Sequence, residues 1–285
     1  MKEYFFTKMT GAGNDFIVFD KKTYPYLTLS PELIQQLCDR HYGIGADGVM
    51  VIGADPIEGE TYAMDYYNAD GSTGSLCGNG SRCAAKFIAQ RDEKFNFSLK
   101  SAGKLLGAQV NEKNVKIELE QPQKIKTHFK VKLSGSKGQM ITAHFADTGS
   151  PHVVIDIANI EQIPGNAESG FRFINQVPVY ELGREIRNLP EFVSGTNVNF
   201  IQKTNKTIYI RTYERGVENE TLACGTGSVA AAIISSIIYS IDSPIELITA
   251  GGDTLKVSFS KNGNEFSNIC LSGPAEVSFT GQVSF

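Results

Sequence analysis

The sequence has no excess of positive charge and no long apolar stretch. Its 27 Lys and Arg residues stand against 31 Asp and Glu residues, so a basic surface for nucleic acid or an anionic membrane is not expected. No apolar run reaches the roughly 20 residues that span a bilayer, and the first residues have no signal-peptide pattern. We therefore expect a cytoplasmic protein that acts on a small molecule and has no nucleic-acid or membrane partner.

Patterns typical of disulfide frameworks and metal sites are also lacking. The five cysteines, an odd number, are Cys38, Cys77, Cys83, Cys224 and Cys270. A chain of 285 residues buries a core large enough to fold without disulfides, so reduced thiols are expected. No C-x-x-C or H-x-x-x-H spacing occurs, which argues against a structural zinc site. The segment GIGADG at 43–48 fits G-x-G-x-x-G, but a predicted helix precedes it and a predicted strand follows it, the wrong order for a dinucleotide site.

The sequence does contain an internal repeat, which is the first guide to its fold. Five short motifs of the first half return in the same order, at similar intervals, in the second half. The pairs are TGAG at 10–13 with TGSP at 148–151, GADGV at 45–49 with GTNVN at 195–199, YN at 67–68 with YE at 213–214, CGNGS at 77–81 with CGTGS at 224–228, and SAG at 101–103 with TAG at 249–251. Two similar domains are therefore predicted.

We place these domains at residues 1–129, completed by 273–285, and at 130–272. A linker is predicted near 121–138, where QPQKIK and SGSKG interrupt the repeat. Each domain has a helix that starts at the repeated cysteine. In the second half, residues 229–239 are apolar all round apart from two serines, so that helix is predicted to be buried within a curved sheet. The predicted fold is α+β, with two pseudo-symmetric domains, each a curved, mostly antiparallel sheet around a central helix.

The motif Cys-Gly-x-Gly at a helix start indicates chemistry. A thiol there lies beside unpaired backbone N–H groups and the positive end of the helix dipole, which favour the thiolate. The glycines let a carboxylate approach the same N–H groups. Two such sites suit stereoinversion at an amino-acid α-carbon, in which Cys77 or Cys224 removes a proton from one face and the other returns one. Free cysteines more often pack in a core, and we predict that role for Cys38 and Cys83.

At these motifs the chain resembles the diaminopimelate epimerases. The shared motifs are GAGNDF at 11–16, GIGADG at 43–48, NADGS at 68–72, CGNGSRC at 77–83, SPH at 150–152, ERG at 214–216 and ACGTG at 223–227. The resemblance implies an enzyme that interconverts LL- and meso-2,6-diaminopimelate on the route to lysine and peptidoglycan. It further implies a homodimer that uses neither pyridoxal phosphate nor a metal, with Cys77 and Cys224 as the catalytic pair.

The resemblance also implies roles for other residues. His152 and Glu214 correspond to groups that modulate the pKa of the cysteines. The implied substrate contacts are the side chains of Asn14, Asn68, Asn199, Glu214 and Arg215 and the main chain of Gly78, Asn79, Gly225 and Thr226. The chain departs from the family at Ser150, where most members have Asn, and at Gly48, where some have Gln. Substrate contacts at those two positions are expected to differ.

Two other functions remain open from the sequence. A proline or hydroxyproline racemase would also use two thiols, although the Asn residues and Arg215 better fit a substrate with a second amino-acid end. A non-catalytic carboxylate-binding or redox protein would instead use Cys77 and Cys224 to close a reversible disulfide. Exchange of the α-hydrogen of diaminopimelate in D2O by metal-free protein tests the epimerase interpretation, which absence of exchange would refute.

Overall fold

A computed structural model describes residues 2–55, 61–74, 76–133, 138–163 and 165–285 of the chain. Contacts divide the chain into two compact units, residues 1–119 with 272–285 and residues 120–271. The division falls after Leu119, earlier than the predicted bound at 129. Strands dominate both units, which confirms the predicted α+β class. No helix among the described residues is long and apolar enough to cross a membrane.

The helices and strands have the following bounds. The first unit contains β1 (Glu3–Gly11), β2 (Asn14–Asp20), α1 (Pro31–Cys38), β3 (Gly48–Ala54), β4 (Thr61–Asn68), α2 (Gly78–Asp92), β5 (Asn96–Ser101), β6 (Lys104–Val110) and β7 (Val115–Leu119). The second contains β8 (Lys124–Leu133), β9 (Gln139–Asp147), β10 (Pro151–Asp156), α3 (Val179–Arg187), β11 (Asn197–Thr204), β12 (Thr207–Glu214), β13 (Asn219–Thr221), α4 (Gly225–Ile238), β14 (Ile245–Ile248) and β15 (Thr254–Asn262). Strand β16 (Glu265–Gly273) follows, and β17 (Glu276–Ser284) lies in the first unit.

The two units share one strand topology. In the first, the strands pair in the order β17-β1-β2-β3-β4-β5-β6-β7, and only the β2–β3 and β4–β5 pairs of this series are parallel. In the second, the order is β8-β9-β10-β11-β12-β14-β15, and the parallel pairs are β10–β11 and β12–β14. The repeat of motifs in the sequence is therefore also a repeat of topology.

Each unit is built around the helix that follows its repeated cysteine. Helix α2 contacts every strand from β1 to β7, and α4 contacts β9 to β12, β14 and β15. Residues 225–236 of α4 are all buried, as the apolar sequence predicts, because a helix without a polar face needs cover on all sides. The predicted helix starts at Cys77 and Cys224 are confirmed, since each cysteine is the N-cap of its helix.

The first unit has apolar side chains on both faces of its sheet. Along β2, Phe16 and Val18 pack in the cluster that contains α2, whereas Ile17 and Phe19 pack in the cluster that contains α1. Successive side chains of a strand point to opposite faces, so the unbroken apolar run of β2 is what a strand covered on both sides requires. The sheet thereby holds the start of β2 firmly beside α2.

Two features differ from the sequence-based expectations. The predicted linker near 121–138 is in part the strand β8, whose side chains alternate between more and less exposed positions and which pairs with β9; residues 134–137 lie outside the described residues. This alternation of Lys with apolar residues is the signal of a half-buried strand. Helix α3 was not predicted, although its buried residues Val179, Leu182 and Ile186 recur at helical spacing.

Candidate active site

Cys77 lies at the start of α2 in the first unit. Its backbone is extended, with φ −110° and ψ 110°, and its Sγ accepts a hydrogen bond of 3.3 Å from the N–H of Gly80. The side chain is half-buried. The sulfur therefore lies against the first turn of the helix, where backbone N–H groups and the helix dipole stabilise negative charge.

Two asparagines contact each other beside this helix start. Asn14 begins β2, and Asn79 lies in the first turn of α2. The Nδ2 of Asn79 donates to Oδ1 of Asn14 at 2.5 Å, and Nδ2 of Asn14 donates to Oδ2 of Asp47 at 2.9 Å. On the far side, Nη2 of Arg82 donates to Oδ1 of Asn79 at 2.8 Å. The amides thus form the middle of a hydrogen-bonded series that runs from a guanidinium to a carboxylate.

A cluster of four charged residues anchors the carboxylate end of this series. Arg40 lies 2.8 Å from Asp15 and 2.7 Å from Asp47, and the buried Lys8 lies 2.8 Å from Asp15. Burial opposes the charged form of Asp15, but the hydrogen bonds from Arg40 and Lys8 outweigh it and lower the pKa of Asp15. Asp15 therefore remains ionised. Arg40 also bonds Asp47, and Oδ2 of Asp47 is the acceptor for Nδ2 of Asn14.

Asn68 lies at the end of β4, opposite Gly48 on β3. Its Nδ2 donates to Oγ of Ser72 at 2.9 Å, and its N–H donates to the Ser72 carbonyl at 2.9 Å. A β-carbon on Gly48 would overlap the carbonyl oxygen of Tyr67. In this chain a side chain at position 48 would therefore force the β3 and β4 backbones apart, so glycine fits the register that pairs Gly48 with Asn68.

Cys224 occupies the equivalent place at the start of α4 in the second unit. Its backbone is again extended, with φ −122° and ψ 116°, and the residue is buried. Its Sγ lies 3.6 Å from the hydroxyl of Thr226. A β-carbon on Gly227 would lie 3.3 Å from this sulfur and 2.5 Å from Oδ1 of Asn199. Glycine at 227 thus lets Asn199 and the thiol come close to the helix start.

His152 is fully buried next to Thr226. Its Nε2 lies 2.9 Å from Oγ1 of Thr226, and its Nδ1 lies 3.2 Å from Nδ2 of Asn199. The Asn199 amide is oriented independently, because Nδ2 also donates to the carbonyl of Val153 and Oδ1 accepts from Thr212. Nδ1 of His152 must therefore accept, so Nε2 carries the proton.

The imidazole of His152 is neutral over the physiological pH range. Burial above all, and then the charge of Arg215, lowers its pKa to about 3, against the opposing effect of the Asn199 hydrogen bond. Neutral His152 donates from Nε2 to the Thr226 oxygen. The hydroxyl hydrogen of Thr226 is then available to the sulfur of Cys224, so a directed series of hydrogen bonds ends at the thiol.

Glu214 is the last residue of β12, and Arg215 follows it. Oε2 of Glu214 accepts from Oγ1 of Thr221 at 2.9 Å. The N–H of Arg215 donates to Oδ1 of Asn197 at 2.8 Å, and Nδ2 of Asn197 donates to Oγ of Ser150 at 3.2 Å. Asn197 therefore links Ser150, one of the departures from the family pattern, to the backbone of Arg215.

The structure thus groups the predicted residues within each unit. In the first, Asn14 and Asn79 touch beside Cys77, and in the second, His152, Asn199 and Thr226 form one series that ends at Cys224. All five cysteines lie in the described part of the chain, and none forms a disulfide. Cys38 and Cys83 are buried, and desolvation above all raises their pKa to about 11 and about 12, as suits thiols with a packing role.

Four contributions were missed from the sequence. They are the carboxylate of Asp47, the buried guanidinium of Arg82, the amide of Asn197 and the side chain of Thr226, which was assigned only a main-chain contact. Asp47 and Asn197 are each the third residue of the repeated GADGV and GTNVN motifs. This match could have identified both residues as part of the site. Among the described residues, no group of three or more His, Cys, Asp or Glu side chains is arranged to hold a metal ion.

Comparison with known proteins agrees with these features. The family model of diaminopimelate epimerase matches residues 6–125 and 144–277. The chain is 35% identical to a diaminopimelate epimerase of Hydrogenobaculum sp. (strain Y04AAS1), covering 98% of both chains, and 36% identical to one of Chlorobaculum tepidum, covering 97% of this chain and 100% of the relative.

Solved structures show the same fold at lower sequence identity. A PhzF-family phenazine biosynthesis protein of Bacillus anthracis matches with a TM-score of 0.71 at 14% identity over 100% of both chains. A hydroxyproline epimerase of Agrobacterium vitis, solved with bound trans-4-hydroxy-L-proline, matches with a TM-score of 0.68 at 14% identity over 99% of this chain and 91% of its own. The near full-length match to the family model and to the sequence relatives is decisive: the chain belongs to the diaminopimelate epimerase family of isomerases.

Proposed function

We propose that the protein is a cofactor-independent epimerase that interconverts LL-2,6-diaminopimelate and meso-2,6-diaminopimelate, in the formation of lysine and peptidoglycan precursors. The observation that carries the proposal is the matched setting of Cys77 and Cys224, each the N-cap of a central helix that begins with Gly-x-Gly. A single thiol at a helix start would serve a one-base reaction. Two thiols in equivalent settings suit a reaction that must act on both faces of one carbon.

The proposed chemistry moves one proton to the enzyme and returns another. One cysteine, as the thiolate, removes the α-hydrogen, and the electron pair passes into the α-carboxylate to form an enediolate. The other cysteine, as the thiol, donates its proton to the opposite face of the carbon, so that the two sulfurs exchange protonation states in each turnover. Because the α-hydrogen is a very weak acid, stabilisation of the enediolate is the larger requirement. The N–H groups of Gly78, Asn79, Gly225 and Thr226 are proposed to supply it.

His152 and Glu214 are proposed to modulate the pKa of the cysteines. The contacts of His152 support this role, since a neutral imidazole that donates to Thr226 orients a hydroxyl toward a sulfur. A hydrogen bond from that hydroxyl favours the thiolate form. Glu214 is partly exposed at the end of β12, and we propose that its carboxylate acts on a thiol or on the substrate ammonium group.

The remaining polar residues are proposed to bind the charged groups of the substrate. Arg215 would grip the distal carboxylate in bidentate fashion, and Asn14 and Asn68 would contact the ammonium and carboxylate groups. Asn199 differs, because its side chain is fully buried and its amide hydrogens bond His152 and Val153. These contacts support a role for Asn199 in orienting His152. We propose that Asn199 also contacts the substrate.

Solvent-hydrogen exchange tests the proposal. Purified protein, treated with EDTA and free of pyridoxal phosphate, is incubated in D2O with LL-diaminopimelate, and proton NMR follows both the α-hydrogen and formation of the meso isomer. Cys77→Ser and Cys224→Ser are each expected to lower epimerisation at least 100-fold, because a serine hydroxyl is far less acidic than a thiol. Cys270→Ala is the control. Wild-type turnover by Cys224→Ser would refute the two-base scheme, and exchange of trans-4-hydroxyproline instead of diaminopimelate would favour the racemase alternative.

We further propose that the protein is a cytoplasmic homodimer, as the family resemblance implies. Sedimentation velocity across a range of protein concentrations tests the oligomeric state. A single species at the mass of one 31.1 kDa chain at all concentrations would contradict it.

A further inference from the structure

A completely buried arginine lies in the helix that carries Cys77. Arg82 is 0% exposed. Its Nη2 donates to Oδ1 of Asn79 at 2.8 Å, its Nη1 donates to the carbonyl of Gly78 at 3.4 Å, and its Nε donates to the carbonyl of Pro274 at 3.3 Å. Burying a guanidinium is costly and is rarely seen unless its hydrogen bonds are made. The side chain therefore reaches back along the helix and places its charge beside the first turn.

The contact with Asn79 determines which way two amides point. An asparagine amide has an acceptor end and a donor end, and either end fits the same space. Arg82 only donates, so it holds the oxygen of Asn79 toward itself and turns Nδ2 toward Asn14. Asn14 must then present its own oxygen to Asn79 and its Nδ2 to Asp47. Each amide donor in this series faces an acceptor, and reversing either amide would set two donors or two acceptors against each other.

The second unit shows what the same place looks like without an amide. The residue two positions after the cysteine is Thr226 there, and it contacts His152 at 2.9 Å, just as Asn79 contacts Asn14 in the first unit. The residue five positions after the cysteine is Val229, which is buried and apolar. A hydroxyl rotates to suit its neighbours and needs no group to set its orientation. The charged residue occurs only in the repeat that has an amide to orient.

We propose that Arg82 is a positioning residue, which holds the amides of Asn79 and Asn14 in one orientation at the start of α2 beside Cys77. This inference rests on the proposed function, in which Asn14 and the main chain of Asn79 contact the substrate. Reversal of the Asn14 amide would present an oxygen where the contact proposed with the substrate carboxylate requires an N–H donor. The guanidinium also lies beside the helix start, where it adds positive charge next to a bound carboxylate and a thiolate.

Substitutions at Arg82 separate its effect on the orientation of the amides from the effect of its positive charge. Arg82→Met removes the charge and the donors with little change in volume, and Arg82→Lys keeps the charge but loses the planar fork that spans Asn79 and Gly78. Val229→Ala is the matched control for a packing change in the equivalent helix. Asn79→Thr replaces the amide with the hydroxyl found in the second unit. Kinetics of epimerisation and the pH profile of Cys77 alkylation by iodoacetamide, followed by peptide mass spectrometry, are measured for each variant.

We expect Arg82→Met to lower kcat/KM roughly 100-fold, the scale of a misplaced contact group, and Arg82→Lys to lower it less. In the Asn79→Thr background the effect of Arg82→Met should shrink at least tenfold, because no amide remains to be oriented. The pH midpoint of Cys77 alkylation should rise in Arg82→Met and not in Val229→Ala. If Arg82→Met does not fold, the comparison is made with Arg82→Lys.

Two results would overturn the proposal. One is a wild-type kcat/KM and a wild-type Cys77 profile in Arg82→Met. The other is an equal loss from Arg82→Met whether position 79 is Asn or Thr, which would show that Arg82 does not act through the amide of Asn79. Failure of the proposed function is distinguishable, since wild-type protein would then exchange no diaminopimelate while the alkylation profiles of Cys77 would still respond to Arg82.

Discussion

Acidification from pH 7 to pH 5 is expected to destabilise the second unit through two buried histidines. His152 has a pKa of about 3, chiefly because it is buried. His144 is 2% exposed, and burial, followed by the charge of His128, lowers its pKa to about 4. Both remain neutral in the folded protein at pH 5. In the unfolded chain each has a pKa near 6.5 and takes up a proton as the pH falls.

The size of the effect follows from this difference in proton binding. The unfolded state binds more protons below pH 6.5, so stability is complete above that pH and declines as the pH falls toward the pKa of the folded state. Each pH unit in this range is worth about 1.4 kcal/mol per histidine. Since pH 5 lies about 1.5 units below the unfolded pKa, each histidine should cost roughly 2 kcal/mol of unfolding free energy there.

Two measurements check this expectation. The chain has four histidines, so their ring C–H resonances can be followed by NMR from pH 8 to pH 5, with assignment by the loss of one signal in His144→Gln and in His152→Gln. The chemical shifts of the His144 and His152 rings should stay constant from pH 8 to pH 5, because neither ring takes up a proton in that range. Urea unfolding, followed by circular dichroism, should show that each variant loses about 2 kcal/mol less than wild type between pH 7 and pH 5. A titration of His152 with a midpoint near 6.5 would refute the assignment of a buried, neutral imidazole.

Two further predictions concern the start of α4. Gly227→Ala is expected to lower the unfolding free energy by about 1–3 kcal/mol and to lower epimerase activity, because the new methyl group would lie 2.5 Å from Oδ1 of Asn199. The matched control Gly80→Ala should keep wild-type stability, since its methyl group meets Met50 at an ordinary 3.4 Å; equal unfolding midpoints for both variants would contradict the reasoning. Thr226→Val should lower kcat/KM by roughly tenfold through loss of the hydroxyl hydrogen bonds, whereas Thr226→Ser should retain most of it. Activity of Thr226→Val equal to that of Thr226→Ser would show that the hydroxyl does not act on the thiol.

Much of the fold is predictable from the sequence because its signals are local. The Gly-x-Gly after each cysteine marks a helix start, and the unbroken run of large apolar residues along β2 marks a strand with two covered faces. Ser30 before Pro31 likewise predicts α1, whose N-cap contact is a 3.2 Å hydrogen bond from the N–H of Leu33. QPQKIK and SGSKG interrupt the repeat and so indicate a linker near 121–138, although residues 124–133 within it alternate between apolar and polar side chains. Pairing with β9 makes these residues a strand.

The site is less predictable than the fold. Cys77 and Cys224 can be identified from the sequence because each half of the chain carries one of them in the same motif. Arg82 is not, because a single arginine on a helix usually faces solvent, and only the packed structure shows that it is buried against Asn79. Thr226 is similar, since a hydroxyl two residues after a cysteine has no meaning until His152, 74 positions away in the chain, lies beside it.

The sequence by itself determined the doubling of this protein: two sets of the same short motifs, each with a cysteine at the start of a buried helix. These features depend on residues that are neighbours along the chain, so the order of amino acids is enough to specify them. The tertiary structure alone decided the polarity of the site, that is, which amide end faces which partner and which histidine nitrogen carries the proton. Those choices depend on hydrogen bonds between residues as far apart as Asn14 and Asn79, and such pairs exist only once the strands and helices have packed together.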